Sequence, residues 1–216
     1  RARLKQPTSP LGYMRALLED QLEIAIVVAH TSKSVTAMAV ADAHDAAAIV
    51  LSAKDRERVE NPILARVRLA HELCHVLFDP LIEGVHLVID LDDPTASKAA
   101  RAEKRARAFA AELLLPKKGL RALLGKPGGV QSLAEAQTLV SKARSHFRTP
   151  WEIAANHVGN LGYVHPTLVG KVTADGPTDG PIKDQTSLPP VGAPSIGLQH
   201  RLRRAWEEGH VSDGQA

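Results

Sequence analysis

The sequence predicts an α+β protein with a small antiparallel sheet, a long helix beside it and a mainly helical C-terminal half. Three observations lead there. Short runs rich in β-branched residues, Leu22–Ala29, Val35–Val40 and Ala46–Leu51, stand close together early in the chain, separated by turn-prone Ser, Asp and His. From residue 62 onward apolar residues recur instead at the three- and four-residue spacing of helices. Aromatics make up only 3% of the 216 residues whereas Ala, Leu and Val are plentiful, so the core is built from small and aliphatic side chains, which suits closely packed helices.

Taken in order, residues 1–10 are basic and contain Pro, as at the end of a linker. The chain starts with Arg rather than Met, and is expected to be a fragment or processed product with an N-terminal module outside it. Pro10 suits the first turn of a short helix to about Asp20. The three strands follow, then a charged, solvated stretch, Ser52–Asn61. Asn61-Pro62 is an N-cap followed by a first helical residue, and predicts a helix from Pro62 to Phe78 that ends at Asp79-Pro80.

A short extended piece, Val85–Ile89, precedes a second long helix. This helix starts near Asp93-Pro94-Thr95 or Ser97, runs through Leu115 and is stopped by Pro116. Helices over Lys118–Leu124, Ser132–Phe147 and Pro150–Leu161 come next, the first two separated by the loop 125–129. Beyond Gly162 the periodicity weakens, and Ala174–Gly197 reads as irregular or flexible. A final amphipathic helix, Leu198–Glu208, places Leu202 and Trp206 four apart on one face. The resulting division is 1–20, 21–125, 126–170 and 171–216: a linker and helix, the main core, a helical subdomain, and a tail.

The net charge of +3 and pI near 9.1 permit contact with nucleic acid or an acidic partner and demand neither. The single cysteine, Cys74, cannot form an internal disulfide, and no apolar run reaches membrane-spanning length. A cytoplasmic protein without a membrane partner is the expectation.

The chemistry concentrates in His71-Glu72-Leu73-Cys74-His75, set among Leu69, Ala70, Val76 and Leu77. Residues four apart lie on one helix face, so His71 and His75 can present two ring nitrogens to one metal ion. Glu72 stands where a carboxylate can deprotonate a water on that ion. Two satisfied core histidines are the plainer reading of the pair. A catalytic zinc takes three protein ligands and leaves a fourth position open. Glu103 is the choice for the third, because Glu103, Ala106 and Ala110 share one face of the second long helix and the alanines allow close approach. A solvent-exposed Glu103 paired with a neighbouring Lys or Arg is equally compatible with spacing alone.

The two segments Arg66-Val-Arg-Leu-Ala-His-Glu-Leu-Cys-His75 and Glu103-x-x-Ala-x-x-Phe-Ala-Ala-Glu-Leu-Leu-Leu-Pro116 together resemble the ImmA/IrrE family of bacterial metallopeptidases, over about residues 45–165. That resemblance implies a zincin-like minimal core, a bound Zn2+ with His71, His75 and Glu103 as ligands, and Glu72 as the catalytic carboxylate. It also implies cleavage of a helix-turn-helix repressor or antitoxin-like protein, which releases transcription. Cys74 stands where the family usually has Gly, and is read as a small packing residue. His146, His157, Tyr163 and His165 are the candidates for stabilising an oxyanion, and Glu112 for orienting a ligand histidine. The rival readings are a DNA-binding regulator, from the loosely helix-turn-helix-like stretch 141–161, and a zinc-stabilised sensor without turnover.

Overall fold

A computed structural model describes residues 8, 10–31, 35–42, 46–54, 60–79, 85–91, 97–177, 179–182, 188–193 and 196–209. Helix α1 (Met14–Ala16) continues into a π-helical turn, Leu17–Gln21, closed by Leu22 N–H donating to Leu17 O at 3.1 Å. Regular helix thus begins later than Pro10. The strands are β1 (Ile24–Ala29), β2 (Val35–Asp42), β3 (Ala47–Ser52) and β4 (Val85–Leu91), in the spatial order β1-β3-β2-β4.

The expected antiparallel sheet is a mixed one. β2 pairs antiparallel with β3 and with β4, but β1 pairs parallel with β3, Ile26 opposite Ile49. Strand alternation alone does not reveal this. The hairpin of β2 and β3 folds β3 back against β1, so the link from Ala29 to Val35 must cross one intervening strand. Six residues reach roughly 20 Å, enough for the roughly 10 Å of two strand spacings.

Helix α2 (Pro62–Phe78) lies across β2 and β3. Asn61 caps it, its Oδ1 accepting from Ile63 N–H at 3.0 Å, and Pro62 occupies the first turn as its fixed φ favours. The strand residues towards the core include Ala37 and Ala39, which are fully buried and small. They let the helix settle close enough for Leu69, Ala70 and Leu73 to pack with Ile49 and Leu51. Helix α3 (Ser97–Leu114) packs beside α2; the positions 93–95, where its start was anticipated, lie outside the described residues.

Helices α4 (Lys117–Leu124), α5 (Leu133–Phe147) and α6 (Trp151–Asn160) follow as expected. A further helix, α7 (Pro166–Asp175), was not anticipated. Its β-branched Thr167, Val169, Val172 and Thr173 lower helix propensity, and tertiary packing decides it: Val172 is buried, and its carbonyl accepts from Trp151 Nε1 at 2.8 Å. The start signal, Pro166 in the first turn, was in the sequence.

The described tail is irregular, as expected, yet tied down. Asp179 pairs with Arg144 at 2.6 Å, and Gly192 N–H donates to Val28 O of β1 at 2.8 Å. Helix α8 (Ile196–Glu207) matches the anticipated terminal helix, although the side chains of Leu202 and Trp206 lie outside the described ones. One hydrophobic cluster runs from Met14 through the sheet, α2, α3 and α5 to Val172. Among the described residues no helix is long and apolar enough to cross a membrane.

Candidate metal centre

Helix α2 places His71 and His75 on one face, and both are buried. Their Nε2 atoms are 3.1 Å apart, with ring centroids at 4.9 Å. Helix α3 brings Glu103 onto them: Oε2 is 3.1 Å from His71 Nε2 and Oε1 is 3.3 Å from His75 Nε2. The approach is close because Ala106 and Ala110, one and two turns beyond Glu103, are buried and carry only a methyl. Glu103 is therefore not a solvated glutamate bound to a neighbouring cation.

Burial by itself pushes the Glu103 carboxyl up, but the hydrogen bonds and charge interactions with His71 and His75 outweigh it and hold the group well below the usual carboxylate range. It stands ionised. The two ring nitrogens are thus 3.1 Å apart, and each faces a different Glu103 oxygen, at 3.1 and 3.3 Å. Tetrahedral ligands at the usual zinc–nitrogen and zinc–oxygen lengths are separated by about 3.3–3.4 Å, so the residues fit a small divalent cation. Among the described residues, His71, His75 and Glu103 form the one buried group of this kind whose ligand atoms converge, all within 4.8 Å of one another.

Glu72 adjoins His71 and is fully buried, with Arg68 Nη1 4.0 Å from its Oε1. Cys74 is fully buried. Desolvation raises its thiol pKa, and the nearby Arg105 guanidinium draws it back only in part. A protonated, inaccessible thiol is a packing residue, in line with the expectation.

Glu112 does not orient a ligand histidine. Its carboxylate accepts from Lys117 N–H at 3.0 Å, capping α4, and lies 3.3 Å from His157 Nε2. The residue in the orienting position is Asp79, whose Oδ2 is 2.7 Å from His75 Nδ1. Its signal was the four-residue spacing from His75, which puts Asp79 on the same helical face; as a sequence feature it registered only as a helix terminator.

The four residues proposed for an oxyanion are engaged elsewhere. His157 Nε2 lies 3.1 Å from Leu115 O, Tyr163 OH donates to Gly125 O at 3.0 Å, and His165 Nδ1 lies 2.8 Å from Thr167 Oγ1. His146 packs edge-on to Phe147. Among the described residues, none of these contacts reaches His71, Glu72, His75 or Glu103.

The fold and the site together define a protein in which a buried His–His–Glu group that could hold a metal ion sits between two helices beside a small mixed sheet. The chain belongs to peptidase family M78: the IrrE N-terminal-like domain matches residues 20–157, a span that contains the sheet, both site helices and α5. It is thus an ImmA/IrrE-family protein, and the expected resemblance holds over most of the chain. No curated protein matches it.

Proposed function

We propose that the chain is a zinc-dependent endopeptidase in which His71, His75 and Glu103 hold the ion and Glu72 moves the proton. The observation that carries this reading is the convergence of two imidazole nitrogens and one ionised carboxylate at 3.1–3.3 Å beside a second buried carboxylate. Zinc bound there supplies Lewis acidity, lowering the pKa of a coordinated water to about 7 and polarising a peptide carbonyl. Glu72 accepts the proton as the water oxygen attacks the carbonyl carbon, and returns it to the leaving amine as the C–N bond breaks. Arg68, one turn before Glu72, sets a positive charge 4.0 Å from that carboxylate.

The proposed substrate is a specific protein, a helix-turn-helix repressor or antitoxin-like regulator, whose cleavage releases transcription. The family membership supports it. The proposed setting is the cytoplasm, in keeping with a lone buried thiol. Direct DNA binding finds less support. Helix α6, which would be the recognition helix of that reading, contains no Lys or Arg, and its exposed positions are Glu152, Asn156 and Asn160. Its other face is spent on packing through Trp151, Ala154, Ala155 and Val158. It is scaffold in this reading.

Elemental analysis of protein purified without added metal is the test. About one zinc per chain in the wild type, lost in His71→Ala and in Glu103→Ala, is the expected result. A wild-type chain that cannot be loaded with zinc would sink the proposal.

A further inference from the structure

His75 has two ring nitrogens, and the structure accounts for both. Nε2 faces His71 and Glu103; Nδ1 lies 2.7 Å from Asp79 Oδ2. Asp79 is the C-cap of α2, and its own N–H donates to His75 O at 3.1 Å, so backbone and side chain both close on the same residue. The other carboxylate oxygen, Oδ1, is paired with Arg105 Nη2 of α3. Arg105 lies two residues beyond Glu103 and is 46% exposed, whereas the Asp79 side chain is 6% exposed. A surface guanidinium therefore reaches in to hold a buried carboxylate.

Ending the helix does not call for a carboxylate at this position. Negative charge at a helix C-terminus opposes the helix dipole, and Gly, Asn or a cation serves the end better. What the position does match is the ring of His75, one turn back on the same face.

We infer that Asp79 and Arg105 form a two-step brace that positions His75 for the metal. This rests on the metal-site reading above. Asp79 accepts the Nδ1 proton, which fixes the tautomer whose Nε2 lone pair faces the ion, and strengthens that nitrogen as a donor. Arg105 acts through Asp79, fixing the carboxylate so that the ring cannot rotate away from Glu103. Helix α3 then carries both the third ligand and the brace for the second ligand, two residues apart, so docking of α3 sets both at once. Asp79 and Arg105 are positioning residues, since neither reaches the reacting atoms.

The experiment is a zinc competition titration against a chromophoric chelator, on the 216-residue chain and its variants. Asp79→Asn is expected to bind zinc 10- to 100-fold more weakly, the range for loss of a partner of a ligand histidine. Arg105→Gln should lose several-fold and Arg105→Lys less. The double variant should bind no more weakly than Asp79→Asn alone, because Arg105 acts only through Asp79. Melting of the metal-free forms and 15N shifts of His75 separate positioning from mere helix capping. Positioning predicts that the Nδ1–H form of metal-free His75 dominates in wild type and gives way to a mixture in Asp79→Ala.

Wild-type zinc affinity in Asp79→Asn and Arg105→Gln, with only the metal-free melting point lowered, would overturn the brace and leave the metal site standing. An unchanged His75 tautomer in Asp79→Ala would overturn it too. A wild-type chain that takes up no zinc would instead overturn the metal-site reading, and the brace with it.

Discussion

Among the described residues a buried histidine meets a glutamate in two places, and they differ in whether the protein alone completes them. His157, on α6, lies 3.1 Å from the Leu115 carbonyl at the end of α3 and 3.3 Å from Glu112. A neutral imidazole donating Nε2–H to Leu115 O satisfies one of the orphan carbonyls of the helix terminus, and Glu112 is held in turn by Lys117 N–H. At the other place, His75 Nδ1 lies 2.7 Å from Asp79 Oδ2, and its Nε2 faces His71 Nε2 and a Glu103 oxygen. Two imidazole nitrogens and a carboxylate converge there on one another. A buried cluster of lone pairs calls for a cation, and a donor aimed at a carbonyl does not. Burial and a nearby glutamate are common to both; the direction of the donors separates structure from chemistry.

The largest effect that sharpens this contrast is on catalysis. Glu72→Gln should keep its zinc and lose roughly 100- to 10,000-fold in kcat/KM against a cleavable protein substrate, the range for removing a general acid–base; wild-type turnover in that variant would remove Glu72 from the mechanism. His157→Gln, by comparison, should cleave at close to the wild-type rate.

Next in size is linkage to metal. Saturating zinc at 1,000 times its Kd should stabilise the fold by about 4 kcal/mol, read as a rise in Tm that a chelator reverses. Glu103→Ala should abolish the rise and His157→Ala should preserve it. A zinc-dependent Tm rise lost in His157→Ala would break the comparison.

His157→Ala should itself cost about 1–3 kcal/mol in denaturant unfolding, since the Leu115 carbonyl loses its buried partner. The same histidine carries a pH signature. Burial lowers its pKa below the ordinary value, more than Glu112 and the Leu115 carbonyl raise it. The unfolded state therefore binds its proton more readily, so its contribution is fully present above the unfolded pKa of about 6.5 and is lost as pH falls towards the folded value. Tm should drop between pH 7 and 5.5, with a shallower slope in His157→Gln.

The smallest effect concerns Cys74. With no surface exposed and its pKa raised by desolvation, the thiol should resist alkylation until the chain unfolds. Cys74→Ala should cost only about 1 kcal/mol in stability, the scale of one buried methylene-sized group, without loss of zinc. Rapid modification of the native protein would show a site more open than the packing allows.

Much of the site was legible because it is written at helical spacing. The pair His71 and His75, the adjacent Glu72, and the face Glu103–Ala106–Ala110 are consequences of one turn taking 3.6 residues, and need no knowledge of what packs where. Helix ends were equally local: Asn61-Pro62, Ser132 and Pro116 act through their own side chains or missing N–H. Asp79 was visible by the same spacing, but a residue that both ends a helix and binds a ring shows only the first role until the ring's rotamer is known. Arg105 gave no signal at all, since one cation among Lys104, Arg105 and Arg107 is singled out only by where Asp79 lies.

What the sequence by itself determined is therefore the alternation of elements and the two histidines with their neighbouring carboxylate, because periodicity and capping act over a few residues. Tertiary structure alone decided the parallel pairing of β1 with β3, the burial of Val172 that supports α7, the partnering of Glu112 with His157, and the meeting of Glu103 with the histidines across two helices. Each of these depends on which surfaces the chain brings together over tens of residues, where loop closure and packing outweigh local preference.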